Sequence, residues 1–193
     1  MEAVELSMNA KWDVKSGLAN VRWGILLALL TIIFGQALGV AFGVFEDAMK
    51  GYLKAEGERA FEAVYAGNRG QLDATVTKSW SYFKRAHLHA GGMGTTALAL
   101  ITLVALLPGQ RRFQRESAAA LSAGALGYAV FWLMAGMRAP ALGGTAAAKE
   151  SLAWLALPSV GLFVGTTLLF AAWTVVSLFS IASHGPDAPS DQT

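Results

Sequence analysis

A chain of 193 residues that is 54% hydrophobic, with mean hydropathy +0.45, is more apolar than a soluble domain of that length needs to be. Its formal net charge of +2 is too small to suggest a nucleic-acid partner. It contains no cysteine, which excludes disulfides, thiolate metal ligands and a cysteine nucleophile, and leaves the redox compartment unread.

A helix crosses the hydrocarbon with roughly 20 mostly apolar residues. Four stretches meet that requirement, and in lipid such runs must satisfy their own backbone polar groups as helices. The expected fold is therefore all-α: an integral membrane four-transmembrane-helix bundle forming one domain over residues 1–193. The polar, mixed-charge N-terminal segment lacks the basic start and cleavage site of a signal peptide, so the first helix is expected to be retained. That helix is expected over residues 21–45.

The long polar segment 46–84 follows. Met49, Tyr52, Leu53, Ala60 and Phe61 recur near one helical turn, which predicts an amphipathic helix lying on the membrane surface or capping the bundle. Gly67-Asn68-Arg69-Gly70 reads as a turn. Trp80, Tyr82 and Phe83 beside Lys84 and Arg85 read as an interfacial anchor. The second span is expected over 88–107 and closes at Pro108. The third is expected over 117–137, after a short loop carrying Arg111, Arg112 and Arg115. The fourth is expected over 152–183, interrupted by Pro158, and the tail 184–193 is expected to be disordered. Short loops weigh most in topology, so the side of the Arg111–Arg115 loop is expected to be cytoplasmic.

Chemistry concentrates in one run, Lys84-Arg85-Ala86-His87-Leu88-His89-Ala90-Gly91-Gly92-Met93-Gly94. Three readings stand side by side. The first has the histidines facing water or headgroups at the interface. The second is a metal pair, but in a helix two positions two apart diverge by about 200°. The third has one of them holding a haem iron, which needs a single imidazole and a flat surface for the ring. Ala90, Gly91, Gly92 and Gly94 lack bulk and permit close approach, although small residues also serve helix packing. No carboxylate falls inside a span, and neither a nucleotide-binding glycine motif nor a serine–histidine–acid set occurs.

Several patches, in order, resemble the styrene oxide isomerase family. They are Gly24-Ile25-Leu26 with Gly35, then Gly43-Val44-Phe45-Glu46, then Gly51-Tyr52, Arg85-Ala86-His87 with Gly94, Pro108, and Phe131-Trp132-Leu133. The resemblance covers the first three helices. It implies a haem b held by His87 as proximal ligand, with His89 as the fallback and Gly91 and Gly94 beside the ring. It also implies a homotrimer in the bacterial inner membrane, and isomerisation of a small hydrophobic aryl epoxide to an aldehyde, with ferric iron as Lewis acid. Two pocket positions depart from the family. Met93 stands where the family has an asparagine, and Met cannot donate a hydrogen bond. Trp132 stands where the family has a tyrosine, with Tyr128 one turn earlier on the same face. The alternatives are a haem-binding membrane protein without isomerase activity (a sensor, carrier or electron-transfer subunit) and a cofactor-free structural subunit.

Overall fold

The computed structural model describes residues 14–107 and 109–183. The expectations for the N-terminal segment, for Pro108 and for the 184–193 tail lie outside the described residues. The elements are α1 (Val14–Asn20), α2 (Arg22–Arg59), α3 (Phe61–Tyr65), α4 (Arg69–Ala105), α5 (Arg111–Arg138), α6 (Thr145–Glu150) and α7 (Ala153–Ser183). No strand occurs among the described residues. The helices α2, α4, α5 and α7 are each long and apolar enough to cross a membrane, so the chain is an all-α, multi-pass membrane protein.

Two of these helices outrun the bilayer. With 38 and 37 residues, α2 and α4 are each about 56 Å long at 1.5 Å per residue, against a hydrocarbon core of about 30 Å. The apolar part of α2 ends at Phe45, where the backbone leaves helical geometry (φ −122°, ψ 22°) before the helix resumes. The segment 46–84 is therefore not a separate helix on the membrane surface. It is the far half of α2, the short α3 and the near half of α4, an antiparallel hairpin whose tip packs on the α5–α7 connection, which agrees with the alternative placement as a cap on the bundle. Its charges pair along its exposed flanks, Glu46 with Lys50, Glu56 with Arg59 and Glu58 with Arg69. Such exposed pairs add little stability. What they mark is water.

The hairpin tip turns at Ala66–Asn68 rather than extending through Gly70. Ala66 and Gly67 take positive φ (48° and 77°), and the Asn68 side chain caps α4 by accepting from the Gln71 N–H at 3.0 Å. The tip is fastened to the connection between α5 and α7. The Tyr65 hydroxyl is buried and donates to the Pro140 carbonyl at 2.6 Å, and Gly57 lies against Leu72 and Pro140. Burial pushes the Tyr65 phenol above its ordinary value, opposed in part by the Thr75 hydroxyl. Because the folded state favours the neutral phenol, this stabilisation is complete below about pH 10 and is lost as pH rises further. Tyr65→Phe is expected to cost about 1–3 kcal/mol by leaving the buried carbonyl unpaired. Thermal unfolding followed from pH 8 to 11 checks both points, since the variant loses the alkaline fall that this tyrosine causes.

Within the membrane, α5 is the central helix: it packs against α2, α4 and α7, while α7 touches little besides α5. Small residues bring the backbones together, as expected where lipid supplies no hydrophobic drive between helices. Gly24 of α2 sits on Ala118 of α5, and Gly35 of α2 on Ala90 and Gly91 of α4. On the other flank, Gly124 of α5 sits on Ser159 and Phe163 of α7. The Ser122 hydroxyl adds a buried hydrogen bond to the Gly24 carbonyl at 2.8 Å. At the loop end, the buried Gln114 side chain donates to the Val104 and Leu107 carbonyls, both at 3.0 Å. Both lie at the C-terminal end of α4, where carbonyls run out of intrahelical donors, and the Val104 carbonyl also accepts from the Leu107 N–H at 3.1 Å. Helix α7 runs on through Pro158 rather than breaking there, although the proline is its sixth residue and leaves the Trp154 carbonyl without the usual backbone donor.

One further expectation resolves by burial. Of the anchor residues, Tyr82 and Phe83 are buried in the bundle. Only Trp80 is partly exposed, with Phe42 against one edge (5.2 Å between rings) and the Lys50 ammonium 5.3 Å from its ring.

Candidate functional site

The helix α4 is continuous through both histidines, so the two imidazoles leave it in different directions. His87 turns toward α2. Its Nδ1 lies 2.8 Å from the Gly35 carbonyl oxygen, and its ring lies edge-on to Phe42, with 5.9 Å between centroids. A carbonyl only accepts, so in the neutral ring the proton sits on Nδ1 and Nε2 keeps its lone pair. The glycines of α2 make this possible. A Cβ built on Gly39 would fall 2.9 Å from His87 Cε1, and one on Gly35 would fall 2.9 Å from the Gly91 nitrogen. Any larger residue at either place would separate the helices or displace the imidazole.

His89 turns toward α5. Its ring stacks on Trp132 (5.9 Å, 29°) and tilts against Tyr128 (5.1 Å). The Arg85 guanidinium lies 4.9 Å from the Trp132 ring and 5.2 Å from that of Tyr82. Met93 follows His89 by one turn on the same face. The residues singled out as a pocket, Met93, Tyr128 and Trp132, thus gather at His89 and not at His87. A metal bridging the two histidines is ruled out by their directions. Among the described residues, moreover, no three His, Cys, Asp or Glu side chains converge on one point.

One donor at His89 is left over. The Trp132 indole N–H is buried without a hydrogen-bond partner. Such an orphan costs about 1–3 kcal/mol unless something accepts from it.

The small residues divide. Gly94 serves packing, since a Cβ there would lie 2.9 Å from Ile32 Cγ1 and 3.2 Å from the Ile32 nitrogen. A Cβ on Gly91, Gly92 or Gly43 would meet nothing within 4 Å. That leaves a surface of α2 and α4 low enough for a flat group to lie against, next to Leu88, which is 66% exposed. One imidazole with its second nitrogen fixed by a backbone carbonyl is the arrangement in which histidine ligates metals. His87 has it. For His89 no hydrogen bond of either ring nitrogen occurs among the described residues.

A separate apolar cavity of about 420 Å3 opens where α2 kinks, with walls that include Leu38, Met49, Tyr52, Phe83, Leu133 and Met137. Neither histidine lines it. Sequence reasoning missed this cavity, because its walls come from three helices and no motif marks them. The chain matches no known protein family, and no curated protein or solved structure matches it.

Proposed function

We propose that this chain is a haem b-binding membrane isomerase that converts a small aryl epoxide to an aldehyde, as its resemblance to the styrene oxide isomerases implies. One observation carries the reading: the His87 Nδ1–Gly35 carbonyl hydrogen bond, which fixes the ring and leaves Nε2 as a ligand. Bound there, haem would supply a Lewis acid for the epoxide oxygen. Everything else in the proposal is work for the chain's own side chains. His87 holds the group and Gly35 orients His87. Gly39 leaves room for the imidazole, and Gly91 and Gly92 keep the adjoining surface flat. The surrounding lipid and apolar side chains exclude water, which protects a reactive aldehyde from side reactions.

The proposal extends to assembly and topology. The chain works as a homotrimer in a bacterial inner membrane, with Arg111–Arg115, expected in a loop and found as the first turns of α5, facing the cytoplasm. In support, Gln36 is exposed at mid-span with no side-chain partner among the described residues. Only 22% of the apolar window of α2 and 17% of that of α7 is buried within one chain. A polar side chain in hydrocarbon is best satisfied by a neighbouring helix.

A second reading, haem binding without isomerase activity, is favoured by one observation. The spare Trp132 donor and Tyr128 stand on the His89 side of α4, away from His87, and Met93 cannot donate. Incubating the purified haem protein with styrene oxide and separating the products decides between the two. Phenylacetaldehyde formed in proportion to bound haem supports the isomerase. A haem-loaded protein that forms none leaves only the second reading.

Gly39→Ala tests the carrying observation without touching either imidazole. The new methyl displaces the His87 ring, and haem affinity is expected to fall roughly ten- to a hundredfold, the range for losing an orienting contact behind a ligand. Titrating the apoprotein with haem measures it.

A further inference from the structure

At the end of the bundle opposite the histidines, three arginines border one recess of about 600 Å3. Its walls are Ser16, Asn20, Arg22, Trp23, Arg111 and Arg115, together with Ala19. Three separate pieces of chain build it: α1, the first turn of α2 and the first two turns of α5.

The wall is tied together by hydrogen bonds rather than by ion pairs. The Arg111 guanidinium donates to the Ser16 carbonyl at 3.0 Å and to the Ser16 hydroxyl at 2.9 Å. The Asn20 amide in turn donates to the Arg111 carbonyl at 2.8 Å. Among the described residues no carboxylate lines the recess. The nearest acid in sequence, Glu116, is already paired with Arg112 at 2.8 Å. Among the described residues Arg22, Arg111 and Arg115 form no ion pair. Three like charges held around one space repel each other, and an anion placed among them removes that cost. The start of α5 adds to the field, because its N-cap, Gln110, makes no side-chain cap and the first N–H groups of a helix carry partial positive charge.

Depth in the membrane selects the anion. Arg22 is followed directly by Trp23, which is 62% exposed and begins the apolar run of α2. The Arg22 guanidinium lies 5.7 Å from the Trp23 ring. Arg115 stands one residue before Glu116, where the charged start of α5 gives way to its apolar stretch. An indole at the edge of an apolar span sits at headgroup level, so the recess opens where lipid phosphates are densest. Arginine forks match phosphate oxygens two at a time, and basic pockets between membrane helices take anionic headgroups. We infer that this recess binds the phosphate of an anionic phospholipid, with Trp23 against the start of its acyl chains.

The test uses the whole protein in mild detergent with phosphatidylglycerol or phosphatidylcholine added, and retained lipid read by native mass spectrometry. The wild type is expected to retain phosphatidylglycerol preferentially. Each arginine removed should weaken that retention about fivefold, so Arg22→Gln with Arg115→Gln brings the two lipids close to parity. Arg111 is left in place because it holds Ser16. Arg138→Gln, at the other end of the bundle, should leave the preference unchanged. If the double variant does not fold, Arg115→Gln alone gives the reading. Equal retention of both lipids by the wild type, or an unchanged preference in the variants, overturns the inference. So does inorganic phosphate raising the melting temperature as much as phosphatidylglycerol does, since the site would then take a free anion.

Discussion

Replacing His87 with alanine is expected to abolish the Soret absorbance of the purified protein, while His89→Ala keeps it. The asymmetry follows from the different surroundings of the two rings. His87 has its Nδ1 fixed 2.8 Å from the Gly35 carbonyl, which in the neutral ring leaves the lone pair on Nε2. His89 is held only by ring contacts with Tyr128 and Trp132. Iron bound by a single protein imidazole has no second anchor, so loss of that residue should lower haem occupancy by more than about tenfold, in line with the sensitivity of metal sites to their supporting shell. The His87→Ala protein should still fold, because the α2–α4 seam rests on Gly35, Ala90, Gly94 and Ile32 rather than on the imidazole. Added free imidazole should restore part of the band in His87→Ala. Loss of the band in His89→Ala instead would reverse the assignment of the ligand.

The second large effect concerns the bundle itself. Gly124→Leu is expected to detach α7. A Cβ there would stand 2.6 Å from the Phe163 nitrogen and 2.7 Å from the Ser159 carbonyl oxygen. Both are backbone atoms of α7, so neither can turn aside as a flexible side chain would. Overpacking usually costs 1–3 kcal/mol where neighbours can yield. Here the helices must part, so the loss should reach at least about 3 kcal/mol, or roughly 6–12 °C in melting temperature for a protein of this size. Because α7 packs almost wholly on α5, little else would hold it. Gly51→Ala is the matching control. Its Cβ meets nothing within 4 Å, so alanine should stabilise the helix by up to about 1 kcal/mol. Thermal unfolding of both variants in one detergent makes the comparison, and equal melting temperatures would contradict it.

The four crossings were legible because hydrocarbon imposes a length rule that apolar runs satisfy visibly. The ends of the helices were not. Apolar residues report where lipid stops, whereas α2 continues past Phe45 through Glu46 and Lys50, which are good helix formers exposed to solvent. The hairpin therefore read as a separate amphipathic element. Its true anchor, Tyr65 on Pro140, joins positions too distant in sequence for any periodicity to connect. The histidine run was legible as chemistry, and helical geometry already foretold that its two rings diverge. Which neighbours each ring meets depended on helix rotation, fixed by Gly35 and Gly39 on one side and by Tyr128 and Trp132 on the other. The same limit hid the arginine recess: the arginine triplet at the start of α5 stood out, but Arg22 joins it only after α1 and α2 fold beside α5.

Imaging the purified, haem-loaded protein by cryo-electron microscopy tests the functional account at its root. The account predicts a porphyrin lying on the glycine surface of α4, its iron within bonding distance of His87 Nε2 and the opposite nitrogen still on the Gly35 carbonyl. Iron on His89, or a protein that takes up no porphyrin at all, would contradict it.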